Sequence, residues 1–174
     1  MLKQFLTCVC FALLILAVVP ASAQQKRGPS TPEERAKAVQ IARDLESNPL
    51  GPQAVSEREW ITRWLIEVPD ITVDVCPRLL GAEIPDKKKH GTEIFSQMLY
   101  SEAAFIIEKP DKAKDVLAIY VAGVSGSLKV YGAILKDHPK DHLKVLDEIL
   151  ARRDKGELED QVKDAMQYCK KNVY

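Results

Sequence analysis

The sequence predicts an all-α, single-domain bundle of about seven helices around one hydrophobic helix, probed by three observations. First, Val116 to Leu128 is thirteen residues without a formal charge, inside a stretch from 111 to 136 whose apolar positions recur at steps of three and four. Second, Pro, Gly and capping patterns cut the rest of the chain into helix-length pieces with apolar faces. Third, Ile71 to Val75 alone alternates like a strand, and nothing else in the chain offers it a pairing partner.

Lys3, the apolar run from Phe11 to Val19 and the small-residue site Ala21-Ser22-Ala23 form a cleavable secretory signal over residues 1–23, with the mature chain starting at Gln24. Cleavage removes Lys3 from a balance of 25 basic and 25 acidic residues and leaves a chain one charge below neutral. That balance excludes nucleic acid as the expected partner. The signal's shape and the lack of an Asn-x-Ser/Thr acceptor point to a bacterial periplasm or the medium outside it. Residues 24–30 are polar with Gly28 and Pro29 and read as a disordered leader; 31–174 reads as the helical domain.

Thr31-Pro32-Glu33-Glu34 is a capping box with proline at the first helical position, opening a helix that buries Ala38, Ile41, Ala42 and Leu45 and ends near Ser47. Asn48-Pro49-Leu50-Gly51-Pro52 then interrupts. Ser56-Glu57-Arg58-Glu59 repeats the box ahead of Trp60, Ile61, Trp64, Leu65 and Val68, and Pro69 stops that helix. Trp60 and Trp64, one turn apart, are expected to pack in the core; exposed, they would be anchors for a ligand or partner. Cys76, Leu79 and Leu80 suit a short helix ending at Gly81. After Pro85 and the run Lys87-Lys88-Lys89-His90, which reads as a solvated turn, a helix over Thr92 to Glu108 carries Ile94, Phe95, Met98, Leu99, Phe105 and Ile106. Glu102 is the one polar member of that stripe, expected at its boundary with solvent.

The central helix is apolar on all sides and therefore belongs inside. Its uncharged middle rises only about 20 Å, against about 30 Å of bilayer hydrocarbon, so no transmembrane segment is expected in the mature chain. Gly123, Gly126 and Gly132 each cost about 1 kcal/mol relative to Ala inside a helix and need a reason. Three are open: close approach of a neighbouring helix, a break near Ser125, or a notch at Gly123 and Gly126 that admits a ligand. Stripe phase favours a continuous helix. Asp137-His138-Pro139 ends it, Leu143 to Leu150 makes the next helix, Lys155-Gly156 punctuates, and Leu158 to about 170 makes the last.

Of four cysteines, Cys8 and Cys10 leave with the signal. Cys76 and Cys169 both fall on apolar stripes, and export makes them a candidate disulfide, with two separate buried thiols as the alternative. Asp137, His138, Asp141 and His142 are the candidate metal ligands: on a continuous helix His138 and His142 share a face. Pro139 favours a turn with Asp141 as N-cap of the following helix instead, and the glutamate of the zinc-peptidase motif is absent. Gly123-Val124-Ser125-Gly126 lacks the spacing and the strand of a hydrolase elbow. No phosphate loop, haem motif or calcium loop occurs, so no cofactor is expected.

Tyr120-Val121-Ala122-Gly123-Val124-Ser125-Gly126 and Asp137-His138-Pro139 are similar to short segments of the Rap1a/Tai-type immunity proteins, secreted helical inhibitors of cell-wall amidase toxins. That family's cysteine ahead of the second segment has no counterpart here. The expectation from the whole sequence is an exported, non-enzymatic helical protein that binds another envelope or secreted protein or a small apolar ligand. Its rivals are an immunity or inhibitor protein, a metal-binding protein or metal-dependent enzyme built on 137–142, and a mainly structural envelope protein.

Overall fold

The computed structural model describes residues 27–81 and 89–169. The expected signal peptide with its cleavage site, and residues 24–26 of the expected leader, lie outside the described residues, as do Lys87 and Lys88. Six α-helices follow in order: α1 Pro32–Ser47, α2 Ala54–Glu67, α3 Gly91–Glu108, α4 Val116–Asp137, α5 Lys144–Asp154 and α6 Leu158–Cys169. Two short 3-10 turns, Pro77–Leu80 and Pro110–Lys112, lie between them, and no strand occurs among the described residues.

The count of seven helices is corrected to six because the element before Gly81 is a single 3-10 turn. Pro77 supplies no amide, and Gly81 leaves helical space at φ 109°, so no i to i−4 ladder develops between them. The central helix is also shorter at its start than 111–136. Asp115 caps it, its carboxylate accepting from the Ala118 amide at 3.1 Å, while Pro110 to Lys112 form their own turn and leave Ala113 outside. At the other end the helix runs one residue further, to Asp137, with His138 as its C-cap ahead of Pro139.

Thr31 forms its capping box as expected: its hydroxyl accepts from the Glu34 amide at 3.2 Å and the Glu34 carboxylate accepts from the Thr31 amide at 3.0 Å. The second box does not form. The Gly51-Pro52 turn feeds the chain into α2 two residues early, at Ala54, and the Ser56 hydroxyl donates to the Gln53 carbonyl at 2.8 Å. Val68 then takes the extended backbone that Pro69 demands of the residue before it. Ahead of α1, Ser30 donates from its amide and hydroxyl to Asp70 at 2.8 and 2.9 Å, and Arg35 pairs with the same carboxylate at 2.6 Å. These contacts tie the chain entering α1 to the end of α2.

Two apolar clusters make up the interior. The larger gathers α4 (Tyr120, Val124, Leu128, Tyr131, Ile134) with Leu79 and Leu80, Ile94 and Met98 of α3, and the inner faces of α5 and α6. The smaller joins α1 and α2 through Ile41, Leu45, Ile61 and Trp64 to Tyr100, Ala103 and Ala104 of α3, without α4 side chains. Thus α3 is a second axis, a wall shared by both clusters. α4 is long and apolar enough to cross a membrane by length and composition, as core helices often are; here it buries Val124, Leu128 and Tyr131 completely. Cys76 and Cys169 are joined as a disulfide, Cα atoms 5.7 Å apart, which clamps the Pro77–Leu80 turn to α6.

α4 is continuous, so the reading of a break near Ser125 does not hold; the Ser125 hydroxyl donates back to the Val121 carbonyl at 2.7 Å within the unbroken helix. Gly126 lies against α3, and a Cβ there would meet Ser101 Oγ at 1.9 Å and Ser101 Cβ at 2.5 Å. Gly132 has open space where a Cβ would go. Gly126→Ala is therefore expected to destabilise the fold by about 2 kcal/mol, the range of forced overpacking, whereas Gly132→Ala gains about 1 kcal/mol of helix propensity. Urea unfolding midpoints of the two variants check this opposite pair of shifts.

Candidate functional site

The glycine notch is filled. Gly123 faces Glu102 and Met98, whose nearest atoms stand 2.8 and 3.0 Å from the position of a Cβ, and Gly126 faces Ser101 and Glu46. Glu46 of α1 is buried but fully engaged: its Oε1 accepts from the Ser101 hydroxyl at 3.0 Å and Arg43 at 2.5 Å, and its Oε2 from Lys129 of α4 at 2.7 Å. Gln97 extends this seam, donating to the Ala42 carbonyl at 2.9 Å and to Ser101 at 3.0 Å. The polar groups between α1, α3 and α4 hold helices together.

Glu102 departs from its expected boundary position. It is 0% exposed, and among the described residues neither carboxyl oxygen has a hydrogen-bond partner. Burial, then the nearby Asp74 carboxylate, push its carboxyl up to about 9, with the Asp74 backbone acting weakly the other way. It is neutral at physiological pH. Tyr120, whose hydroxyl lies 3.4 Å from Asp74, is pushed up to about 12 by burial and by that same carboxylate. A buried carboxyl of raised pKa is a common mark of catalysis; this one is fully buried, with Asp74 and Tyr120 as its titratable neighbours.

Trp64 is buried, Trp60 is half-buried, and the two rings stack with centroids 5.9 Å apart. Lys37 covers Trp60 at 4.3 Å from the ring centre. Both belong to the α1–α2 packing.

The 137–142 segment separates its two histidines. His138, the exposed C-cap of α4, turns toward His90, the residue before α3, with ring centroids 5.1 Å apart and planes tilted by 53°. Asp141 joins them, its Oδ2 3.8 Å from His90 Nε2, and one ligating atom from each of the three lies within 4.8 Å of the others. Asp141 is not the N-cap of α5; Leu143 holds that position, with no side-chain cap. Asp137 ends α4 outside the group. His142 goes elsewhere, its Nδ1 3.1 Å from the Asp147 carboxylate. Asp147 also accepts from the Tyr131 hydroxyl at 2.6 Å, and that hydroxyl in turn accepts from the Leu143 amide at 2.9 Å. Partial burial raises the Asp147 carboxyl, yet the Tyr131 and His142 hydrogen bonds outweigh it and hold it below the usual range. This second cluster fastens the start of α5 to α4.

His90 was legible only as the end of a lysine run; nothing local in the sequence places it beside a residue 48 positions away. The one available signal is that the chain has only three histidines. Clefts elsewhere include one of about 480 Å³ lined by Phe105, Leu117, Val121 and Glu159. Comparison with protein-family models, curated proteins and solved structures finds no significant match, so the likeness of 120–126 and 137–139 to immunity proteins rests on those segments alone.

Proposed function

We propose that this chain is an exported, non-enzymatic helical protein that binds another envelope or secreted protein through its outer surface. The observation that supports this most is the filled notch: Glu102, Met98, Ser101 and Glu46 occupy the space that Gly123 and Gly126 leave, so no small ligand enters the helical interior. The chemistry-bearing side chains of 137–142 are divided between two clusters, His138 and Asp141 with His90 and His142 with Asp147. The N-terminal signal and the Cys76–Cys169 bridge support export to an oxidising compartment. An immunity or inhibitor protein is one form of this reading, on the strength of the two similar segments.

The test is affinity capture from envelope and medium fractions with the mature chain from Gln24. A single protein is expected, recovered in stoichiometric amount and displaced by excess untagged chain. Recovery of nothing that competes would sink the reading, and a cytoplasmic chain whose N-terminus is still Met1 would sink export.

A further inference from the structure

We propose that His90, His138 and Asp141 form a binding site for a divalent first-row transition metal ion, with zinc the best fit. Three chain segments deliver the donors: the residue before α3, the C-cap of α4 and the turn leading to α5. His90 holds the left-handed backbone at φ 60°, the only positive φ of a non-glycine among the described residues, a conformation that histidine adopts more readily than most side chains. That backbone carries its ring to the α4–α5 turn.

The donor set decides the ligand class. Two imidazoles and one carboxylate suit zinc, nickel or copper, whereas magnesium and calcium require oxygen ligands. Donors about 2.0–2.2 Å from a tetrahedral ion lie about 3.4 Å from one another. The His90–Asp141 separation of 3.8 Å and the common limit of 4.8 Å are closed by side-chain rotation, with exposed His138 the freest to move. Lys89, the residue before His90, donates to the His142 carbonyl at 2.8 Å. Three protein donors leave the fourth position to water, so the ion is exchangeable and links α3 to the α4–α5 turn. This goes beyond the partner-binding reading and does not depend on it.

Calorimetric titration of the mature protein with zinc tests it. One ion per chain is expected; His90→Ala and His138→Ala each weaken binding at least about tenfold, and His142→Ala leaves it within about twofold, since His142 pairs with Asp147. Cobalt is expected to give the visible bands of a tetrahedral ion in the wild type and to lose them in His138→Ala. Zinc raises the thermal midpoint of the wild type but not of His138→Ala, which loses only an exposed side chain. The proposal is overturned if the wild type takes up no zinc, if the His90/His138 double variant binds as well as the wild type, or if His142→Ala loses as much as His138→Ala. A chain that ignores zinc and still captures its protein partner refutes this inference alone.

Discussion

Glu102→Gln is expected to stabilise the fold at pH 7 by about 3 kcal/mol and to flatten its pH dependence across the alkaline side of neutrality. In the folded chain the carboxyl keeps its proton up to about 9; once unfolded it returns to the ordinary 4.5. The stability that goes with the protonated form is therefore complete below pH 4.5. It falls by about 1.4 kcal/mol per pH unit above that, and is fully lost once pH rises through 9. Glutamine retains the shape against Gly123 and Met98 and has no proton to lose. The groups that face the carboxyl from the packed elements are Asp74, from the extended segment before Cys76, and Tyr120 of α4. Tyr120 stays neutral throughout this window, and Asp74→Asn, by removing a charge that raises the Glu102 carboxyl, is expected to end the decline at a lower pH and so shrink it without abolishing it. Urea unfolding of wild type and Glu102→Gln between pH 5 and 9 gives the answer: diverging curves are required, and parallel ones would mean that Glu102 is already charged in the folded protein.

That carboxyl also marks where sequence reasoning stops. Helical spacing puts Glu102 on the apolar stripe of α3, and the preference of carboxylates for water argues for a boundary site. What overrides it is tertiary: Gly123 lacks a side chain on the facing helix, and the segment bearing Asp74 lies over the remaining edge. The same limit separates elements that were legible from those that were not. Thr31, Pro32 and Glu34 specify the start of α1 through contacts three residues apart, so the pattern is complete in the sequence. Ser56 to Glu59 shows an equally good pattern and fails, because the preceding Gly51-Pro52 turn has already set helical geometry at Ala54. The expected start of α4 lay at Asp111, because Ala113 sits in phase with the stripe. Only the turn formed by Pro110 to Lys112 excludes it. α3 was recognised as a helix, but its role as a wall between two clusters depends on which neighbours it meets, and periodicity carries no information on that. The candidate metal group is of the same kind. His138, Asp141 and His142 could all be named from spacing; the fold sets His142 beside Asp147 and brings His90 to the other two.

Loss of the Cys76–Cys169 bridge is expected to be the most damaging change to this chain, at about 4 to 5 kcal/mol in the loop-closure model for a sequence separation of 93. A domain of this size has only about 5–15 kcal/mol in total, so the reduced protein stands near its unfolding threshold. The damage should be uneven. α6 buries only Leu158, Val162 and Ala165, and its outer face is charged, so the bridge to Cys76 is a large part of what retains it. The α3–α4 pair is expected to keep its packing whatever the state of the cysteines, because these two helices share the most extensive contact among the described elements. Reduction should therefore speed amide exchange across Leu158 to Cys169 well before it does so across Val116 to Asp137, and the Cys76→Ser/Cys169→Ser variant should reproduce the effect without reductant. A urea midpoint that reductant leaves in place would show that the bond contributes nothing in solution.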